Sequence, residues 1–111
     1  VDSIPSSANQ EDHVSMGTTS ARTAAMVLDN AQKVIGIEIA AAAQGIWLRQ
    51  EQGEKGIENL APATRAAYEY IRTVSDPIER DVIMHDELVK FDEMIKNGKL
   101  LAAVEKTVKL K

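Results

Sequence analysis

Cysteine is absent from this 111-residue chain, and proline occurs only at Pro5, Pro62 and Pro77. The first absence excludes disulfides and thiolate chemistry and is compatible with a reducing compartment. The second leaves Ala21 to Arg49 without a helix breaker. Aromatic residues are scarce: Trp47, Tyr68, Tyr70 and Phe91 are the whole set. Alanine and aliphatic residues supply the apolar surface instead, which suits closely packed helices but limits what the chain can bury alone. Positive charge is not concentrated, apart from Lys106, Lys109 and Lys111 near the end, and the net charge is −4. Nucleic-acid binding, which needs a basic face, is disfavoured. No apolar run reaches the ~18–20 residues of a membrane span. The first residues lack the charged and apolar regions of a signal peptide, so a cytoplasmic protein is expected. The chain opens on Val1-Asp2 without Met, which points to a processed or truncated polypeptide.

What is present reads as all-α. Residues 1–14 form an irregular segment, rich in Ser and Asn, with Pro5 biasing Ile4 towards an extended backbone. Asn9 is a candidate cap, and Glu11 and Asp12 suit a positive first turn, so a helix could begin there. Gly17 and Thr18-Thr19-Ser20 weaken that start, and the expected helix covers 15–50. Val27, Ala31, Val34, Ile35, Ile39, Ala42, Ala43, Ile46 and Trp47 follow helical spacing. Ile37 to Ala43 is apolar nearly all round except Glu38, which predicts burial on several sides. Asp29-Asn30 could mark a kink. Further helices are expected over 62–73, with Pro62 at its first position, and over 86–97. A short one follows over 99–108. Asn97-Gly98 supplies a left-handed terminator between the last two. Ile78 to Met84 reads as an extended connector.

Few residues carry recognisable chemistry. Glu11, Asp12 and His13 are consecutive, so on a helix they point in different directions, which disfavours a shared metal. His85, the other histidine, reads as a polar partner of Asp86 at a helix start. No Ser sits in a nucleophile elbow, and "GTTSAR" lacks the spacing and Lys of a phosphate loop. Met16, Met26, Met84 and Met94 read as core gap-fillers. The opening stretch, Ser7 to Gly17 or "SANQEDHVSMG", has two readings. It is a helix cap, or it is part of a site in which Glu11 among amides holds an ammonium or an imidazole N–H.

The longer stretch "VDSIPSSANQEDHVSMG" resembles a motif of the histidine ammonia-lyase branch of the aromatic amino acid lyase family. Ser6 stands where Thr is more usual. Gly36 to Gln44, Leu60 to Arg72 and Asn97 to Leu101 also resemble that family's segments, so the likeness covers the whole chain but only about the last fifth of such an enzyme. The resemblance implies an all-helical fold, a cytoplasmic homotetramer, and elimination of ammonia from L-histidine to give trans-urocanate in histidine catabolism. It implies a methylidene-imidazolone (MIO) electrophile, cyclised from an Ala-Ser-Gly tripeptide, and no metal. This sequence contains no Ala-Ser-Gly, so the group would form in the upstream part of the polypeptide and the chain alone would be inactive. Glu11 is the implied catalytic residue, with Gln10 beside it contacting substrate. Phenylalanine and tyrosine lyases carry an amide at the Glu11 position, so "QED" favours histidine. Asp12 and His13 are expected to be structural. The alternatives are a non-catalytic helical assembly module and part of an MIO aminomutase. The partners implied are L-histidine, the rest of the lyase polypeptide and further subunits.

Overall fold

The computed structural model describes residues 16–109. They form helices and connecting turns, with no strand among the described residues. Helix α1 spans Gly17–Glu51, α2 Pro62–Arg72, α3 Met84–Lys96 and α4 Lys99–Glu105, with a single 3-10 turn at Ile57–Asn59. The chain divides into two compact units, 1–31 and 32–111.

In the first unit, the described residues are the opening of α1. Met16 lies outside the helix and its carbonyl accepts the Ser20 N–H at 2.9 Å, starting the helical ladder. The first turn carries no acidic residue. Thr23 Oγ1 donates to the Thr19 carbonyl at 3.0 Å, which occupies a hydroxyl that would otherwise compete with the backbone. Met26, Val27 and Leu28 are exposed.

The second unit holds the core. Ala43 of α1, Tyr68 and Ile71 of α2, and Phe91 and Met94 of α3 are buried together. Ile39, Ala40, Ile46, Leu60 and Leu100 pack around them. Each of the larger side chains contributes about 1.5–3 kcal/mol by leaving water. Gly36 is buried where α1 meets α3: a Cβ there would lie 3.6 Å from the Asp92 nitrogen and 3.7 Å from Phe91. Helix α4 packs on α2 and α3.

Local signals explain the boundaries. Glycine ends α1: Gly53 has φ 76°, and its N–H donates to the Gln50 carbonyl at 3.1 Å. Pro62 stands in the first turn of α2, where a missing N–H costs nothing. Gly98, at φ 68°, separates α3 from α4. Helix α3 starts at Met84, before the expected Asp86. Ile83 precedes it in an extended conformation with no side-chain cap, so the sequence carries no capping signal at the true start.

Two expectations need correction. Among the four methionines, Met94 alone is buried, while Met16, Met26 and Met84 are exposed. The Ile37–Ala43 run is not enclosed on several sides. Ala43 is buried, but Ile37 is 51% exposed and Ala41 and Ala42 are exposed. A single layer formed by α2 and α3 covers one stripe of a helix, and no second layer covers the rest among the described residues.

Candidate functional site

The residues carrying the lyase-like motif, Gln10, Glu11, Asp12 and His13, lie outside the described residues. The described part shows the frame that follows them, held together by Gln44, Arg72, Ser75 and Glu87.

The frame is fastened at the 73–83 connector between α2 and α3. Gln44, on α1, faces Ile78: its Nε2 donates to the Ile78 carbonyl at 2.8 Å, and its Oε1 accepts the Ile78 N–H at 3.0 Å. The amide thereby replaces the strand or helix partner that an extended, half-buried residue lacks. Arg72, at the end of α2, sends Nη2 to the Ala43 carbonyl at 2.7 Å and Nη1 to the Ser75 carbonyl at 3.3 Å. Its guanidinium lies 5.0 Å from the centre of the Tyr68 ring. Arginine suits this place because a planar, delocalised cation can stack and fork at once. Its Nε is buried without a partner among the described residues.

Ser75 is the buried polar side chain of the connector. Its hydroxyl donates to Glu87 Oε2 at 2.9 Å, and Lys90 Nζ lies 2.7 Å from Glu87 Oε1. The Lys90 hydrogen bond holds the Glu87 carboxyl below its ordinary value; partial burial opposes this, and the Ser75 hydroxyl and the Lys90 charge add to it. On the far side of α3, Asp92 accepts from Gln32 Nε2 and Lys96 Nζ, each at 2.7 Å.

His85 stands on α3 beside an open, mostly apolar groove of about 220 Å³ lined by Lys33, Ile37, His85, Leu88, Val89 and Asp92. Among the described residues no three His, Cys, Asp or Glu side chains come together to hold a metal. No helix among the described residues is long and apolar enough to cross a membrane.

Sequence reading did not single out Gln44, Arg72 or Ser75. Gln44 follows four alanines on a helix and lies 34 residues from its partner. Nothing local marks it as anything but a surface amide.

Comparison with known proteins agrees with this frame. A family model of the aromatic amino acid lyases matches residues 1–73. A histidine ammonia-lyase of Clostridium tetani is 54% identical over 99% of this chain and 21% of its own length. One from Symbiobacterium thermophilum is 50% identical over 95% of this chain and 20% of its own. The crystal structure of a tyrosine aminomutase from Streptomyces globisporus superposes with a TM-score of 0.79 at 32% identity. That match covers 98% of this chain and 20% of the aminomutase. The chain therefore spans about a fifth of the length of the relatives it matches. Over most of its residues it carries one family's pattern, in one family's helical arrangement: the chain belongs to the aromatic amino acid lyases.

Proposed function

We propose that this chain is the C-terminal part of a histidine ammonia-lyase. The complete enzyme removes ammonia from L-histidine without oxidation and releases trans-urocanate. The observation that supports this reading most strongly is identity of 50% and 54% to histidine ammonia-lyases across nearly all of the chain.

Glu11, with Gln10 beside it, is the part of the site this chain brings. A carboxylate accepts hydrogen bonds from an imidazole N–H or an α-ammonium group, and it can take up or return a proton. A phenyl or phenol ring offers no such N–H, so an anion at this position selects for histidine. When present, MIO supplies the electrophile of the elimination. It has no Ala-Ser-Gly precursor in this sequence, so the rest of the polypeptide would furnish it. In this reading residues 1–111 form one helical segment of a cytoplasmic homotetramer, engaged with the rest of the lyase polypeptide.

The tyrosine aminomutase neighbour favours a second reading, in which ammonia returns to the β-carbon. Product analysis separates the two. The full-length polypeptide carrying this segment, supplied with L-histidine, is expected to yield urocanate, followed by its ultraviolet absorption. β-Histidine would establish the aminomutase instead. A folded polypeptide that gives neither product would leave only the non-catalytic module.

A further inference from the structure

The sequence contains four asparagines: Asn9, Asn30, Asn59 and Asn97. The first three precede Gln10, Ala31 and Leu60; Asn97 alone precedes a glycine. An Asn-Gly bond is chemically labile, because the glycine nitrogen, unshielded by a side chain, can attack the asparagine carboxamide. In this fold the pair is also the junction between α3 and α4, and the geometry there controls the attack.

Asn97 closes α3 with φ −84° and ψ −1°, and its N–H donates to the Glu93 carbonyl at 3.0 Å. Its Oδ1 accepts the Lys99 N–H at 2.9 Å, so the carboxamide caps the first turn of α4. The Gly98 N–H donates to the Ile95 carbonyl at 3.1 Å, and the Gly98 carbonyl accepts the Ala102 N–H at 3.0 Å. Attack by the Gly98 nitrogen requires Cβ of Asn97 and that nitrogen to come close to eclipsed about the Cα–C bond. This conformation is far from ψ −1°. Reaching it breaks the Gly98–Ile95 bond and withdraws the carboxamide from Lys99. Both side chains that flank the junction are exposed, so water and base have access once the turn opens.

We infer that Asn97 is a spontaneous deamidation site that the α3–α4 cap holds back, so that its rate of conversion follows the fraction of time this turn is open. In the open turn the Gly98 nitrogen loses its proton to base and bonds to Asn97 Cγ. The Cγ–Nδ2 bond breaks, Nδ2 takes up a proton, and ammonia leaves. The resulting five-membered succinimide is then hydrolysed by water at one of its two carbonyls, giving aspartate or isoaspartate. Aspartate retains an oxygen that can cap Lys99. Isoaspartate adds a methylene to the main chain at the junction and displaces α4, with Leu100, from its seat beside the core.

The test follows the full chain at mildly alkaline pH, with and without denaturing urea. Digestion after Glu93 and Glu105 isolates residues 94–105 for mass spectrometry. Conversion at Asn97 is expected to be about tenfold or more faster in urea than in buffer, because local opening is a minor state of the folded chain. Asn9, Asn30 and Asn59 are expected to lag behind it in urea. In buffer, the fraction carrying isoaspartate is expected to lose amide-exchange protection over α4. Equal rates with and without urea would overturn the inference, as would an Asn97 that survives urea no less well than the other three asparagines.

Discussion

Gln44 and Ile78 meet as a closed pair, the side-chain amide donating to the main-chain carbonyl at 2.8 Å and accepting from the main-chain N–H at 3.0 Å. Both ends of a helix-borne amide are thus used to hold one residue of a connector 34 positions away. Replacing Gln44 with Leu leaves a half-buried N–H and carbonyl without partners. A loss of about 1–3 kcal/mol is expected, read as a lower urea midpoint with unchanged slope. Gln44→Glu retains only the accepting end and should fall between the two. A Leu variant as stable as the parent would show that water replaces the amide without cost.

Acid should loosen the same connector from its other side. The Glu87 carboxyl titrates below its ordinary value of 4.5, chiefly through the hydrogen bond from Lys90. A carboxyl with a depressed folded-state value stabilises the fold fully above its unfolded value. That contribution is lost as pH falls through the folded one. The thermal midpoint is therefore expected to hold above about pH 5 and to decline below pH 4.5, where Glu87 takes up its proton. Glu87→Gln should flatten that decline. The effect is modest, since 40% of the Lys90 side chain is exposed and water screens the pair. An unchanged acid limb in the Gln variant would remove Glu87 from the account.

Gly36 offers a stabilising change. It is buried inside a helix, yet an added Cβ would stand 3.6–3.7 Å from Phe91 and Asp92, an ordinary contact distance. Gly36→Ala gains the helix propensity of alanine, about 1 kcal/mol, without forcing α1 and α3 apart. Gly36→Leu does force them apart and should destabilise by about 1–3 kcal/mol. Calorimetric melting of both variants checks the pair of signs. Destabilisation by alanine would mean that the two helices tolerate no added atom.

The sequence made the helices legible where a residue imposes its own geometry. Pro62 announced the first turn of α2, and Asn97-Gly98 announced the α3–α4 junction, where Gly98 adopts φ 68°. The proline-free run of small and aliphatic residues announced α1. The start of α3 was hidden because Ile83 caps it with backbone alone. The 3-10 turn at Ile57–Asn59 was hidden because its supports are distant: Arg65 Nη2 reaches back to the Glu58 carbonyl at 2.9 Å. The exposure of Ile37 and Ala42 could not be read from periodicity, which tells which residues are apolar but not whether the chain has a layer to cover them. Of the candidate site, Glu11 is named by residue type and resemblance alone and lies outside the described residues. The fastening by Gln44, Arg72 and Ser75 was not legible, because each acts on backbone atoms that no sequence pattern identifies.

In the proposed function, the acid at position 11 meets the nitrogen-bearing ring of the substrate. The most direct test is steady-state deamination of L-histidine by the full-length polypeptide carrying this segment, compared with its Glu11→Gln variant. The account predicts a fall in kcat/KM of about a hundredfold or more, the range for a positioned general acid or base, with unchanged melting behaviour. Near-parental turnover of histidine by a folded Gln variant would contradict it.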